Sequence, residues 1–181
     1  RKSAASTTAE ARAEAERGGR DGLTGRQALV VEGATSMLGA DRLVVRGVEF
    51  AMDCSGFVRA VYYYAGIDLT AEFSKYTGNG VTRIYKTLQA RGLLSDTTHP
   101  SPGDVIFWDN TYDRNSDGKW NDELTHVGIV MNIDDDGSIQ YAHMNYRKGI
   151  IVEHMNLVRR DVHTENVNGR TVIVSSPMRM K

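Results

Sequence analysis

The spacing of apolar residues changes about halfway along this chain. From Val58 to Ala65 the apolar positions follow the i, i+3, i+4, i+7 rule of an amphipathic helix, and Gly66 can end it. The same spacing predicts an earlier helix over 26–39 and a later one from residue 81 to about residue 92. The first half of the chain is therefore predicted to be helical.

Beyond Pro100 the apolar residues alternate with polar ones in short runs, which is typical of strands. In one run, alternation puts Val127, Ile129, Met131 and Ile133 on one face and His126 on the other. A turn over 134–137 predicts a hairpin after that run. Helices followed by an antiparallel sheet of five to six strands define the α+β class. The predicted strands are 104–108, 126–133, 138–144, 149–154 and 170–175.

Composition predicts one ordinary globular domain over 25–181. Residues 1–24 hold almost no large apolar side chain, so we expect a flexible leader or linker there. The 181 residues are 40% apolar and 25% charged, and a net charge of -1 argues against nucleic acid as a partner. We expect no transmembrane segment, since no apolar run is long enough to cross a bilayer. The chain starts at Arg1 without a hydrophobic signal core, which suggests truncation or processing.

The only cysteine, Cys54, directly follows Asp53 at the predicted start of the helix before Gly66. Asp53 is a candidate N-cap, and the free backbone N–H groups of a helix start favour a thiolate. This setting suits a nucleophile. The alternative is a small buried hydrophobic residue, which is the commoner role of a lone cysteine. A single cysteine excludes an internal disulfide framework and is compatible with either the cytosol or export.

Two histidines on neighbouring predicted strands are candidates to act with Cys54. His126 begins its strand, where a general base could reach a sulfur at a helix start. His143, on the strand after the hairpin, could orient the first imidazole, although Gln140 and Asn145 are also polar enough. The alternative for His126 is a histidine at a strand end beside solvent. The alternative for His143 is an ordinary half-buried polar residue.

Three ordered motifs resemble the NlpC-type family of papain-like bacterial cell-wall peptidases. The resemblance implies a papain-like core with Cys54 as nucleophile, His126 as base and His143 as the third residue. It also implies cleavage of amide bonds in peptidoglycan stem peptides, typically the γ-D-glutamyl bond to a diamino acid. No cofactor is needed for that chemistry, and a periplasmic, secreted or wall-associated location is implied. The motifs are Asp53-Cys54-Ser55-Gly56-Phe57, Pro102-Gly103-Asp104-Val105-Ile106-Phe107-Trp108 and His126-Val127-Gly128-Ile129-Val130.

The resemblance also implies substrate contacts beside the cysteine. In relatives that act on stems with a free N-terminal L-Ala, the flanking residues contact its amine, which makes Asp53 and Ser55 candidates. The sequence departs from the family in two places. The stretch 43–50 lacks the aromatic and double-glycine pattern of the substrate groove, and Ala142 precedes His143 where the family often has histidine and then alanine.

The loop before His126 resembles the start of a calcium-binding loop. Oxygen-bearing side chains stand at its positions one, three and five, with Gly118 at position six. Leu124 replaces the glutamate of an EF-hand at position twelve, so we expect modest affinity for a structural calcium. The alternative is a polar turn-rich surface loop. The candidate ligands are Asp113, Asn115, Asp117, the Lys119 carbonyl, and Asn121 or Asp122.

The leading hypothesis is an exported cysteine endopeptidase of stem peptides. Close alternatives are a wall amidase and a cross-bridge peptidase. An enzyme of this kind can also serve as a secreted antibacterial toxin. A non-catalytic wall-binding protein is a third hypothesis. Loss of the cysteine or of the base would favour it, and this chain has both residues. Of the other histidines, His99 and His163 are expected at the surface, and His154 is expected to be structural.

Overall fold

A computed structural model describes residues 25–119 and 121–158, together with the backbone of three further strands at 164–167, 170–173 and 179–180. The predicted leader at 1–24 and His163 lie outside the described residues. Within the described ranges, no helix is both long and apolar enough to cross a membrane.

The first half of the chain is helical, as its apolar spacing predicts. The sequence did not reveal a short hairpin before the cysteine or a 3-10 helix after Gly66. The cysteine helix, α2, begins at Cys54 as predicted. The elements are α1 (Gly25–Ser36), β1 (Leu43–Val45), β2 (Val48–Phe50), α2 (Cys54–Tyr64), the 3-10 helix (Leu69–Lys75) and α3 (Gly80–Ala90).

Side-chain caps explain why α2 and α3 start where they do. The Asp53 carboxylate accepts a hydrogen bond from the Gly56 N–H at 2.7 Å, which satisfies one free donor of α2. Asn79 does the same for α3 through the Thr82 N–H at 2.8 Å. Gly66 follows α2 with φ of 83°, a conformation that a side chain would strain. The predicted N-cap and terminating glycine of α2 are confirmed.

The second half of the chain forms an antiparallel sheet of five strands in the order β6-β5-β4-β3-β9. The α+β class is confirmed, and the strand count lies at the lower end of the prediction, with β9 only two residues long. The predicted hairpin turn is also present, closed by a hydrogen bond from the Asp134 N–H to the Ser138 carbonyl at 2.8 Å. The strands are β3 (Val105–Asp109), β4 (His126–Ile133), β5 (Ser138–Asn145), β6 (Gly149–Asn156) and β9 (Arg179–Met180).

One predicted strand has a different place from the one expected. Residues 170–173 form β8 (Arg170–Ile173), which pairs with β7 (Thr164–Val167) in a separate two-stranded sheet. Pairing with the strand nearest in sequence costs the least loop-closure entropy, which favours this local hairpin. The predicted 170–175 strand is therefore wrong as a member of the main sheet.

Both faces of the main sheet are covered by apolar residues. The helices pack on the face that carries Val127, Ile129 and Met131, as alternation predicts. The opposite face carries a smaller cluster around Trp108, and Ile133 packs there rather than with Ile129. A register shift between Val130 and Asn132 explains the difference, because a bulge reverses the face on which later side chains lie.

Candidate active site

Cys54 is the first residue of α2 and remains partly exposed at the helix start. The residues that follow it, Ser55 to Val58, are buried and anchor the helix in the core. The backbone N–H of Val127 donates a hydrogen bond to the sulfur. Since Val127 directly follows His126 in β4, the fold places the thiol against the strand start that the sequence predicts.

The thiol of Cys54 is protonated in this setting. Burial raises its pKa from 9.0 to about 11, and the charge of Asp53 adds to the rise. Hydrogen bonds from the backbone N–H groups of Val127, Ser55 and Cys54 act in the opposite direction and are outweighed. The sequence-based prediction of a thiolate is therefore wrong for the resting protein, because loss of water around the sulfur exceeds the effect of the helix start.

His126 is joined to two further residues in a continuous hydrogen-bonded chain. Its Nε2 lies 2.7 Å from Nδ1 of His143, and the two rings meet edge to face. Nε2 of His143 in turn lies 2.8 Å from Oε2 of Glu153 on β6. The structure thus brings His126 and His143 together, as the sequence predicts, and adds Glu153.

The charges along this chain follow from its burial. Burial, together with the neighbouring His143, lowers the pKa of His126 from 6.5 to about 4 against the opposing effect of Glu153. The hydrogen bond from His143 holds the pKa of Glu153 below its usual range, and the charge of Lys148 lowers this pKa further. At neutral pH His126 is therefore a neutral imidazole and Glu153 an anion.

Among the described residues, no hydrogen bond joins the Cys54 sulfur to the His126 ring; Val127 connects sulfur and strand instead. Catalytic contacts of this kind are commonly long in the absence of substrate and tighten in the complex. Both Cys54 and His126 are thus neutral at neutral pH, and Val127 is the residue of β4 that contacts the sulfur.

Aromatic and small residues shape the space around the two histidines. The ring of the fully buried Trp108 lies 5.4 Å from that of His126, and the Tyr141 ring lies 5.1 Å from that of His143. A Cβ at Gly128 would lie 3.0 Å from the Ala142 carbonyl oxygen and 3.2 Å from Cβ of His143. A glycine there allows β5 to bring His143 close to His126.

The structure distinguishes His143 from the two other polar candidates on its strand. Gln140 is buried and lies on the opposite face of β5 by alternation. The Asn145 side chain accepts hydrogen bonds from the N–H groups of Arg147 and Lys148, at 2.9 Å and 3.1 Å, and so holds the following turn. Neither side chain is in a position to orient His126.

Glu153 is the site residue that sequence reasoning missed. It lies in β6, a strand predicted correctly, directly opposite Tyr141 in the register of β5 and β6. The available signal was a carboxylate in an otherwise apolar strand, beside His154. His154 pairs with Gln140 across the same ladder, and His99 is exposed, so neither belongs to the chain of hydrogen bonds around His126.

The two candidate substrate contacts have different surroundings. Asp53 is exposed, and both hydrogen bonds to its carboxylate, from the Gly56 N–H and the Ser55 hydroxyl, are accepted by Oδ1. Oδ2 is therefore available to a ligand. Ser55 is buried, and a Cβ at Gly80 would lie 2.2 Å from its Oγ. The Ser55 hydroxyl thus holds Asp53 rather than facing the solvent.

The predicted calcium loop is folded around its own side chains. The Asp117 N–H donates to both Asp113 and Asn115, at 3.2 Å and 3.0 Å, which gathers the three predicted ligands of positions one, three and five. The Nδ2 of Asn121 lies 3.4 Å from Asp117. Lys119 is exposed, with its N–H bonded to Asp117 at 2.9 Å.

Asp122, an alternative calcium ligand, is engaged elsewhere. It is buried, and its Oδ2 accepts a hydrogen bond from the Arg114 N–H at 2.9 Å. Its Oδ1 lies 3.8 Å from the Arg114 guanidinium. Of the two alternatives, Asn121 is therefore the one beside Asp117. Across the described residues, no group of three or more His, Cys, Asp or Glu side chains is placed to hold a metal ion.

The helix-borne cysteine, the strand-borne histidine and the α+β architecture define a papain-like cysteine peptidase or amidase fold. The family model of the CHAP domain matches residues 45–145, and the chain belongs to this family. CHAP domains are associated with the NlpC/P60 peptidoglycan hydrolases, which supports the predicted family resemblance and a hydrolase that acts on peptidoglycan. No curated protein and no solved structure matches the chain.

The raised pKa of the thiol predicts slow alkylation of Cys54 at neutral pH. Because only the thiolate reacts, the rate with iodoacetamide should rise with pH toward a midpoint of about 11, well above the ordinary value of 9.0. Alkylation rates measured by intact mass from pH 6 to 11 test this expectation. The same chain unfolded in urea is the control, with a midpoint near the ordinary value. A rate that is already constant at neutral pH would contradict a protonated thiol.

Proposed function

We propose that this protein is a cysteine endopeptidase that cleaves peptidoglycan stem peptides, with Cys54 as nucleophile, His126 as general base and His143 as the residue that orients the base. The observation that carries the proposal is the placement of Cys54 against the start of β4, with His126 hydrogen-bonded to His143 at 2.7 Å. Membership in the CHAP family supports the reaction class.

The proposed reaction proceeds through an acyl-enzyme. The sulfur of Cys54 attacks the scissile carbonyl carbon while its proton passes to His126, which the substrate brings into contact with the thiol. Collapse of the tetrahedral intermediate breaks the C–N bond, and His126 returns the proton to the leaving amine. Water then hydrolyses the thioester with His126 again as base. The Cys54 backbone N–H at the helix start is the proposed donor to the oxyanion.

Asp53 supports a stem peptide as the substrate. Its exposed carboxylate stands beside the nucleophile and keeps Oδ2 available, which suits the free amine of an N-terminal L-Ala. A γ-D-glutamyl bond to a diamino acid lies a short distance along the stem from that amine. An amidase substrate has no free amine at the corresponding place, so Asp53 favours the endopeptidase over the wall amidase. Such an enzyme would act after export from a bacterial cell, on its own wall or on that of a competitor.

Replacing the nucleophile tests the reaction. We expect Cys54→Ala to reduce release of fragments from purified sacculi to background, a loss of at least about a thousandfold. Mass spectrometry of the products from the wild-type protein identifies the bond, and a new N-terminus on the diamino acid is the expected result.

The control is His99→Ala, which changes an exposed histidine far along the chain from the candidate site. It should digest sacculi at the wild-type rate. Equal digestion by Cys54→Ala would refute cysteine catalysis, and tight binding without cleavage by the wild-type protein would favour the wall-binding alternative. A freed lactyl group or a cut cross-bridge would assign the amidase or the cross-bridge peptidase.

A charge-only change at the helix cap tests the substrate contact. Asn caps a helix as well as Asp does, so Asp53→Asn should keep α2 intact while it removes the charge. For stem peptides with a free N-terminal amine we expect KM to rise up to about fivefold, the range of an exposed ion pair. N-acetylated stem peptides are the control: they should show no such rise. Equal changes in KM for the two peptides would contradict an ionic contact with the amine.

We also propose that the loop formed by residues 113–121 binds a structural calcium through Asp113, Asn115, Asp117, the Lys119 carbonyl and Asn121. The side chains of Asp113 and Asn115, which both accept a hydrogen bond from the Asp117 N–H, support this proposal. The loop leads to His126, so the ion would stiffen the segment that positions the base.

Calcium should raise the melting temperature of the wild-type protein by a few degrees, because a ligand of the folded state stabilises it by mass action. Asp117→Asn keeps the turn acceptor and removes one charge, and it should abolish most of the shift. Thermal unfolding with calcium, magnesium or chelator measures the effect. An equal response of the wild type and Asp117→Asn, or no response of either, would contradict the proposal.

A further inference from the structure

We propose that Glu153 is a positioning residue that acts through His143 to make Nδ1 of His126 the nitrogen that takes the thiol proton. This inference rests on the proposed function, in which His126 is the base. Its geometrical basis is the unbroken chain from Nε2 of His126 to Nδ1 of His143 at 2.7 Å, and from Nε2 of His143 to Oε2 of Glu153 at 2.8 Å.

The direction of each hydrogen bond follows from the acceptor at the end of the chain. An ionised carboxylate only accepts hydrogen bonds, so Nε2 of His143 must carry the hydrogen that points to Glu153. When that is the single ring hydrogen of His143, the other nitrogen, Nδ1, holds a lone pair. That lone pair must accept from Nε2–H of His126. His126 is thereby left with its lone pair on Nδ1, the only ring nitrogen that can still accept a proton.

Without the carboxylate, the opposite arrangement is equally compatible with the two imidazoles. If Nδ1 of His143 carried the hydrogen, it would donate to Nε2 of His126, and His126 would then hold its own hydrogen on Nδ1. A nitrogen that already bears hydrogen cannot accept a proton from Cys54. Glu153, acting through His143, thus sets the position of one proton, and that position decides whether His126 can be a base.

The protein holds the Glu153 carboxylate in place from several sides. The Tyr141 hydroxyl, directly across the β5–β6 ladder, donates a hydrogen bond to it. Burial raises the pKa of Tyr141, so this hydroxyl remains a donor at all physiological pH values. Lys148 contributes an ammonium 3.5 Å from Oε1. The side chain of Glu153 is 21% exposed, so most of its surroundings are protein groups rather than water.

The same carboxylate also suits the charged state that follows proton transfer. When the thiol proton reaches Nδ1, the His126 ring becomes an imidazolium and Cys54 becomes the attacking thiolate. Nε2–H of His126 then donates more strongly to His143, whose own hydrogen bond to the Glu153 anion spreads the positive charge along the chain. In this step the S–H bond of Cys54 breaks as the C–S bond to the substrate forms, and the proton is taken up at Nδ1 of His126, so the proton count is conserved.

Steady-state kinetics of Glu153→Gln test the inference. A glutamine can donate as well as accept at this position, so it no longer enforces one direction in the chain. We expect kcat on a stem peptide to fall about 10- to 100-fold with KM within twofold of the wild type, because only the base is affected. Glu72→Gln is the matched control, since Glu72 forms ion pairs with Lys75 and Arg91 and its side chain is 26% exposed, close to the 21% of Glu153. An unchanged kcat for Glu153→Gln would overturn the inference.

Histidine ring NMR supplies a readout that needs neither substrate nor a stable variant. In wild-type protein with 15N-labelled histidine, His126 is expected to carry its ring hydrogen on Nε2, with Nδ1 unprotonated. Glu153→Gln should show a mixture or a reversal, while Glu72→Gln should match the wild type. An Nδ1–H signal for His126 in the wild type would overturn the inference. Because this spectrum is recorded without peptidoglycan, its result is independent of whether Cys54→Ala loses wall hydrolysis.

Discussion

The close packing of α2 on β4 is the contact on which the candidate site depends. Phe57, Val58 and Val61 are fully buried on the helix side, and Val127 and Ile129 are fully buried on the strand side. Each such side chain contributes on the order of 1.5–3 kcal/mol when it leaves water. The helix start then has little freedom to move away from the strand start. The hydrogen bond from the Val127 N–H to the Cys54 sulfur is a result of that packing.

Two glycines are needed for this packing to occur. A Cβ at Gly56 would lie 1.8 Å from the Ala51 carbonyl oxygen, so only glycine allows the segment before α2 to fold back on its first turn. Gly128 has the corresponding role inside the sheet, where it admits His143 beside His126. Backbone approaches of this kind fix the start of α2 and the spacing of β4 and β5 more tightly than surface contacts could.

The packing that positions the site also determines its charge states. A thiol with a pKa of about 11 beside an imidazole with a pKa of about 4 is a neutral pair at neutral pH. The helix start and the backbone N–H groups favour the thiolate, yet removal of water from the sulfur has the larger effect. Two carboxylates stand near this pair: Asp53 beside Cys54, and Glu153, which is separated from His126 by the imidazole ring of His143.

Local features of the amino-acid sequence were sufficient to predict the helices around Cys54, the cap at Asp53, the strand that begins at His126 and the neighbouring strand with His143. Periodicity, capping and turn chemistry act over a few residues, and they can be read without knowing the fold. Contacts between distant segments could not be read in that way. The β5–β6 register placed Glu153 opposite Tyr141, the bulge after Val130 turned Ile133 to the other face, and burial reversed the expected charge of Cys54. Each depends on how segments far apart in the chain pack and exclude water, and only the tertiary structure contains that information.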